Sequence, residues 1–182
     1  MSLRLFTALE IPDDVAERLL ALMRGVPGAK WRAREHLHLT LRFFDEVQEP
    51  VAADLDAALE EVGQGTAPFE LQLRGAGFFG GADPHALWAG VSPNTALKAL
   101  AADCERAARR CDLKAEARKF TPHVTLAYLK GAMLERVVAF EKRVALFQSR
   151  PWVADNFVLF SSHVRKNAPS LYREEAIYPL LG

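Results

Sequence analysis

The chain has 182 residues, half of them hydrophobic and a quarter charged, with 23 Lys plus Arg against 23 Asp plus Glu. That length suits one domain over residues 1–182 and excludes two ordinary ones, and the composition is that of a globular protein. Zero net charge argues against a protein that works by gripping a long phosphate backbone, because such domains carry a basic excess. A small anionic ligand, or the end of an RNA strand, fits better.

The opening MSLRLFTALEIP lacks the apolar run and cleavage site of a signal peptide, and no apolar stretch approaches bilayer length. Cys104 and Cys111 lie seven apart in a helical stretch, roughly 10 Å of rise, too far for a disulfide. A reduced, cytoplasmic protein is expected.

Leu3 to Ile11 is apolar throughout and predicts a central strand. Pro12-Asp13-Asp14 starts a helix, with carboxylates at its positive end and Val15, Leu19, Leu22 and Met23 as its apolar stripe. Gly25 and Pro27-Gly28 end it, and Lys30 to Arg34 leads into a strand. Glu49-Pro50 opens a second helix, to about Val62. Phe69 to Leu73 alternates like a strand, and the glycine-rich run Gly75 to Pro84 reads as a loop. Ala86 to Val91 predicts a short strand, and Ser92-Pro93-Asn94 caps a helix reaching about Cys111. A helix from Gly131 to about Leu146 follows. Pro151 to His163 and Leu171 to Leu180 close the chain as a hairpin turning at Lys166–Pro169.

Two of the strands carry the chemistry. In Glu35 to Phe44, EHLHLTLRFF, a period of two puts His36, His38, Thr40 and Arg42 on one face and Leu37, Leu39, Leu41 and Phe43 on the other. In Phe120 to Tyr128, FTPHVTLAY, the same rule groups Thr121, His123, Thr125 and Ala127 opposite Phe120, Val124, Leu126 and Tyr128. Each strand therefore holds His-x-Thr-Leu, the two histidines 85 residues apart. Mixed helices and strands with short connections predict an α+β fold. Its expected form is bilobal, two pseudo-symmetric lobes of mainly antiparallel sheet with helices outside and a central cleft between the motif strands.

Residues two apart on one strand face stand roughly 6.5 to 7 Å apart, so each motif sets an imidazole beside a hydroxyl. One neutral and one charged imidazole make a base and an acid near neutral pH, and threonine hydroxyls can donate to phosphate oxygens. A phosphodiester under in-line attack suits such a box. Taken singly, a half-buried strand histidine reads more readily as structural, and a strand threonine needs no function. The pairing carries the acid–base reading. Two histidines without Asp, Glu or Cys at ligand spacing make a poor zinc site, so no metal or cofactor is expected. G-x-S-x-G and P-loop motifs are missing from the sequence.

With these motifs the sequence resembles the two-histidine (2H) phosphoesterases, and among them the RNA 2′,3′-cyclic phosphodiesterases, also called 2′-5′ RNA ligases. The resemblance extends to Arg4-Leu5-Phe6 with Pro12, Trp31, Leu87 to Val91, Phe120 to His123 and Phe157 to Ser161. It implies an enzyme that opens a 2′,3′-cyclic phosphate at an RNA 3′ end, including those of tRNA halves or cyclic nucleotides, to a 2′-phosphate without metal. His38 would be the proton donor and His123 the acceptor, with Thr40 and Thr125 holding phosphate oxygens. Phe6 matches an aromatic near the family's site. The family commonly has Arg five residues after the second motif histidine, where this chain has Tyr128; Arg42 or Lys130 is the expected substitute charge. Two alternatives stay open: 2′-5′ ligation of RNA halves, which is the reverse chemistry, and a non-catalytic nucleotide- or RNA-binding module. A monomer is expected.

Overall fold

The computed structural model describes residues 2–182. The chain runs β1 (Ser2–Glu10), α1 (Asp13–Leu22), β2 (Ala29–Trp31), a 3-10 turn (Arg34–His36), β3 (His38–Gln48) and α2 (Glu49–Gln64). It continues β4 (Phe69–Leu71), β5 (Leu73–Phe79), β6 (Ala86–Val91), α3 (Thr95–Arg110), β7 (His123–Leu129) and α4 (Leu134–Val144). It ends β8 (Trp152–Ala154), β9 (Asn156–Arg165) and β10 (Ala168–Pro179). The class is α+β, and the strand pairings are antiparallel.

One sheet has the order β10-β9-β1-β3-β7-β6-β5, with β2 also on β7, and β4 and β8 form a separate pair. The flank ending in β3 and the flank beginning with β7 meet at a single registered pair, Leu39 with Val124. Both residues are fully buried. The two motif strands are thus neighbours at the narrow middle of the sheet.

Helices α2 and α3 pack on each other, α3 also on β3, and α4 on β5. Their apolar stripes bury Leu55, Leu59, Leu97, Leu100 and Phe140 in one continuous core with Leu39, Val124 and Phe157. Each such side chain contributes about 1.5–3 kcal/mol of gross hydrophobic stabilisation. Asn94 caps α3 as expected, its Oδ1 accepting from the Leu97 N–H at 2.9 Å. Among the described residues no helix is long and apolar enough to cross a membrane.

The glycine-rich run departs from expectation. Residues 75–79 belong to β5 rather than to a loop, pairing with β6 beyond an irregularity between Leu73 and Ala76. Gly75 takes φ +66°, a conformation glycine reaches without strain, and so lets the strand bend and continue. Helix α4 starts at Leu134, three residues later than the glycine at 131 suggested, and the closing hairpin turns more tightly, with Asn167 at φ 60° and β10 resuming at Ala168.

Candidate active site

The seam of the sheet explains the doubled motif. Leu39 is flanked by His38 and Thr40, and Val124 by His123 and Thr125, so the paired residues are the middle members of the two His-x-Thr units. Strand alternation sends Leu39 and Val124 into the core and their four neighbours to the opposite face. There His38, Thr40, His123 and Thr125 line one cleft of about 150 Å³. That is below the roughly 300–1,000 Å³ of drug-sized ligand pockets, so the cleft would enclose a reacting end and leave the rest of a long ligand outside.

Alternation fails just beyond the motifs, and bulges are the reason. Between β1 and β3 the register steps from Thr7–Arg42 to Ala8–Thr40, leaving Leu41 as an extra residue. The bulge turns Arg42 away from the cleft and brings Phe43 into its lining, the reverse of the sequence expectation. Arg42 is instead buried at 8% exposure; its Nε donates to Glu105 at 2.5 Å, its Nη2 donates to the Lys114 carbonyl at 2.6 Å, and its Nη1 donates to the Phe43 carbonyl. A second bulge, between Leu87–Ala127 and Trp88–Thr125, does the opposite for Tyr128. It rejoins the His123 face, half-exposed and lining the cleft. Lys130 lies past the end of β7, exposed and outside the lining. Neither proposed substitute cation is in the cleft.

Arg32 is there. It follows β2, where its backbone N–H donates to the Leu126 carbonyl at 2.8 Å, so it runs alongside β7. Its guanidinium lies 5.0 Å from the Tyr128 ring centroid, and its Nη2 donates to the Tyr172 hydroxyl at 3.0 Å. Among the described residues Arg32 is the one Lys or Arg in the lining, and no Asp or Glu lines it. Tyr172 comes from β10, far along the chain, and touches the edges of the Phe6, His36 and His38 rings at centroid distances of 5.0 to 5.4 Å. His36, in the 3-10 turn before β3, is buried in the cleft lining, and its Nε2–H donates to the Ser170 carbonyl at 2.8 Å. Sequence reasoning missed Arg32 and Tyr172, because nothing local marks two residues 140 apart as partners.

The two motif histidines sit in different surroundings. His123 Nδ1 lies 2.6 Å from the Thr121 carbonyl oxygen, which can only accept, so Nδ1 carries the hydrogen and the neutral ring keeps its lone pair on Nε2. Burial lowers the proton affinity of His123, and the bond to Thr121 opposes this. His38 has no protein hydrogen-bond partner among the described residues; it is stacked on Phe6 and flanked by Phe160 and Tyr172. Burial, with the charge of Arg32 and with His36 and His123 nearby, pushes it down to about 3. Both rings are therefore neutral at pH 7 when nothing anionic shares the cleft. The whole arrangement is two uncharged imidazoles, two hydroxyls and one guanidinium, a set of groups suited to an anion.

The family model of the 2′-5′ RNA ligase superfamily matches residues 11–164. The chain belongs to that superfamily. It is 39% identical over 110 residues to an RNA 2′,3′-cyclic phosphodiesterase of Aeropyrum pernix, covering 59% of this chain and 61% of the relative. It is 31% identical over 160 residues to one from Geobacillus stearothermophilus, covering 87% of this chain but 50% of the relative. The matches thus span between about half and three fifths of these two relatives. Among solved structures, a protein of Thermus thermophilus superposes with TM-score 0.82 at 24% identity, covering 98% of both chains. Escherichia coli LigT, complexed with 3′-AMP, gives 0.81 at 23% identity over the full length of both. At these identities the likeness is one of fold, and this member of the 2′-5′ RNA ligase superfamily shares that fold end to end.

Proposed function

We propose that this protein hydrolyses 2′,3′-cyclic phosphates at RNA 3′ ends to 2′-phosphomonoesters by metal-independent acid–base catalysis. The observation that carries the reading is the Leu39–Val124 seam, which delivers two histidines and two threonines to one small cleft. The relatives' names support the substrate class.

His123 takes a proton from water through Nε2, the nitrogen its bond to Thr121 leaves free. The water oxygen forms a bond to phosphorus as the bond from phosphorus to the 3′ oxygen breaks. His38, protonated, gives its proton to that departing oxygen. The products are a 2′-phosphate and a 3′-hydroxyl, and the two rings, having exchanged protonation states, reset through solvent. Thr40 and Thr125, whose hydroxyls make no protein hydrogen bond among the described residues, donate to the non-bridging oxygens. His38 carries its proton only with help, and the substrate's negative charge supplies it by raising the imidazole's proton affinity on entry.

The test is turnover of a short RNA ending in a 2′,3′-cyclic phosphate, in excess EDTA, for wild type, His38→Ala and His123→Ala. Conversion to the 2′-phosphate by wild type, with a loss of about a hundred- to ten-thousand-fold in each variant, is expected. A variant with full turnover removes that histidine from the mechanism, and metal-dependent turnover removes the metal-free route.

A further inference from the structure

The geometry points to Arg32 as the substrate-binding cation of this site, the residue that receives the negative charge of the scissile phosphate. The inference rests on the phosphodiesterase reading and adds to it the source of positive charge. Of the side chains lining the cleft, Arg32 alone is permanently cationic. Its Nε is buried with no protein partner among the described residues, an arrangement that costs stability unless a ligand supplies the missing bond.

The guanidinium is also held in place. Tyr128 supports one face at 5.0 Å and Tyr172 accepts from Nη2 at 3.0 Å. Two aromatic residues from β7 and β10 therefore fix the plane of the fork, so little side-chain freedom remains to be lost when an anion binds. Its charge already reaches the chemistry: after burial, Arg32 is the strongest influence lowering the proton affinity of His38. A phosphate lying between the two would cancel that repulsion and let His38 take up a proton from solvent. Arg32 thus acts twice. It binds the anion, and it adds to the burial that keeps the donor histidine neutral until the anion arrives.

The experiment compares wild type, Arg32→Gln and Arg32→Lys. Three quantities are read: affinity for inorganic phosphate and for a nucleoside 2′-monophosphate, the NMR titration of the His38 ring without ligand, and kcat and KM on the cyclic-phosphate RNA. Arg32→Gln should weaken both ligands roughly ten- to a hundredfold, as loss of a charge-assisted bond does, and should shift the His38 titration upward. Arg32→Lys should leave His38 depressed and restore part of the affinity. Unchanged phosphate affinity with an unchanged His38 titration in Arg32→Gln would overturn the inference and leave Arg32 as a brace for the tyrosines. Should Arg32→Gln fail to fold, the wild-type Arg32 Nε–H resonance decides. It moves on phosphate addition if the inference holds and stays put if it does not. Phosphate binding through Arg32 without turnover of any cyclic-phosphate end overturns the phosphodiesterase reading instead.

Discussion

Phe6 lies nearly face to face with His38, ring centroids 5.1 Å apart and planes 30° from parallel. Phe6 is itself 2% exposed, with Phe43 and Phe160 stacked against it at 6.1 and 5.3 Å. The proposed donor imidazole therefore rests on an apolar floor that offers it no hydrogen bond and disfavours its charged form. Phe6→Leu, which keeps apolar bulk, should cost less than about 1.5 kcal/mol of stability. Its larger effect should be on His38, whose titration should move upward as water reaches the ring. NMR of the histidine ring protons against pH reads this directly. A His38 titration indifferent to the substitution would mean that the floor is only packing.

The depressed histidines fix the direction of two pH responses. His38 binds its proton at about 3 in the folded protein and near 6.5 when unfolded, so the unfolded chain gains protons first as pH falls. Stability contributed by the neutral ring is fully present above 6.5 and is lost as pH drops toward 3, by up to about 1.4 kcal/mol per pH unit. Denaturant titrations at pH 7 and pH 5 should show this, and added phosphate should reduce the loss. In kinetics, kcat/KM reports the free enzyme and kcat the complex. An anion in the cleft raises imidazole proton affinity, so the alkaline limb should lie at higher pH for kcat than for kcat/KM. Superimposed limbs would count against substrate-assisted protonation.

How much of this was legible in the sequence follows from which forces are local. His38, Thr40, His123 and Thr125 could be placed on one face because alternation is a property of the strand itself. The same rule misplaces Arg42, Phe43 and Tyr128, because a bulge changes the face of every residue beyond it and depends on pairing with another strand. Gly75 reads in the sequence as loosening the chain, whereas it supplies the bend at which β5 re-registers on β6. Arg32 and Tyr172 have no shared local signal at all. Their contact joins β10, at one edge of the sheet, to the residue after β2, which pairs with β7 on the far side of β9, β1 and β3.

Arg42 should reveal its position by what its loss disturbs. It ties β3 to Glu105 on α3 and to the Lys114 carbonyl, and Glu105 in turn accepts from the Glu116 N–H at 3.2 Å. These contacts anchor the segment that leads into β7. Arg42→Gln should cost about 3 kcal/mol, the lower end for a broken buried pair because Glu105 is 28% exposed and recovers some solvation. Urea unfolding should show the drop. KM for the cyclic phosphate should keep its salt dependence, in contrast to Arg32→Gln. A variant of normal stability whose KM no longer responds to salt would instead put Arg42 in contact with substrate.

Gly77 tests the flank of the other histidine. A Cβ there would stand 2.4 Å from the Trp88 ring, which no real contact allows. Trp88 lies 6.0 Å from His123, and Phe79 meets the same imidazole edge-on at 5.0 Å. Room for Trp88 against the backbone of β5 is thus part of what holds the proposed base. Gly77→Ala should push Trp88 aside, costing roughly 1–3 kcal/mol as other overpacked sites do. It should lower kcat more than it raises KM, because the displaced indole disturbs His123 and leaves Arg32 untouched. Trp fluorescence, thermal unfolding and steady-state kinetics on the same preparation separate the two effects. Lost stability with unchanged kcat would show that the Phe79–Trp88 wall supports the fold without orienting the base.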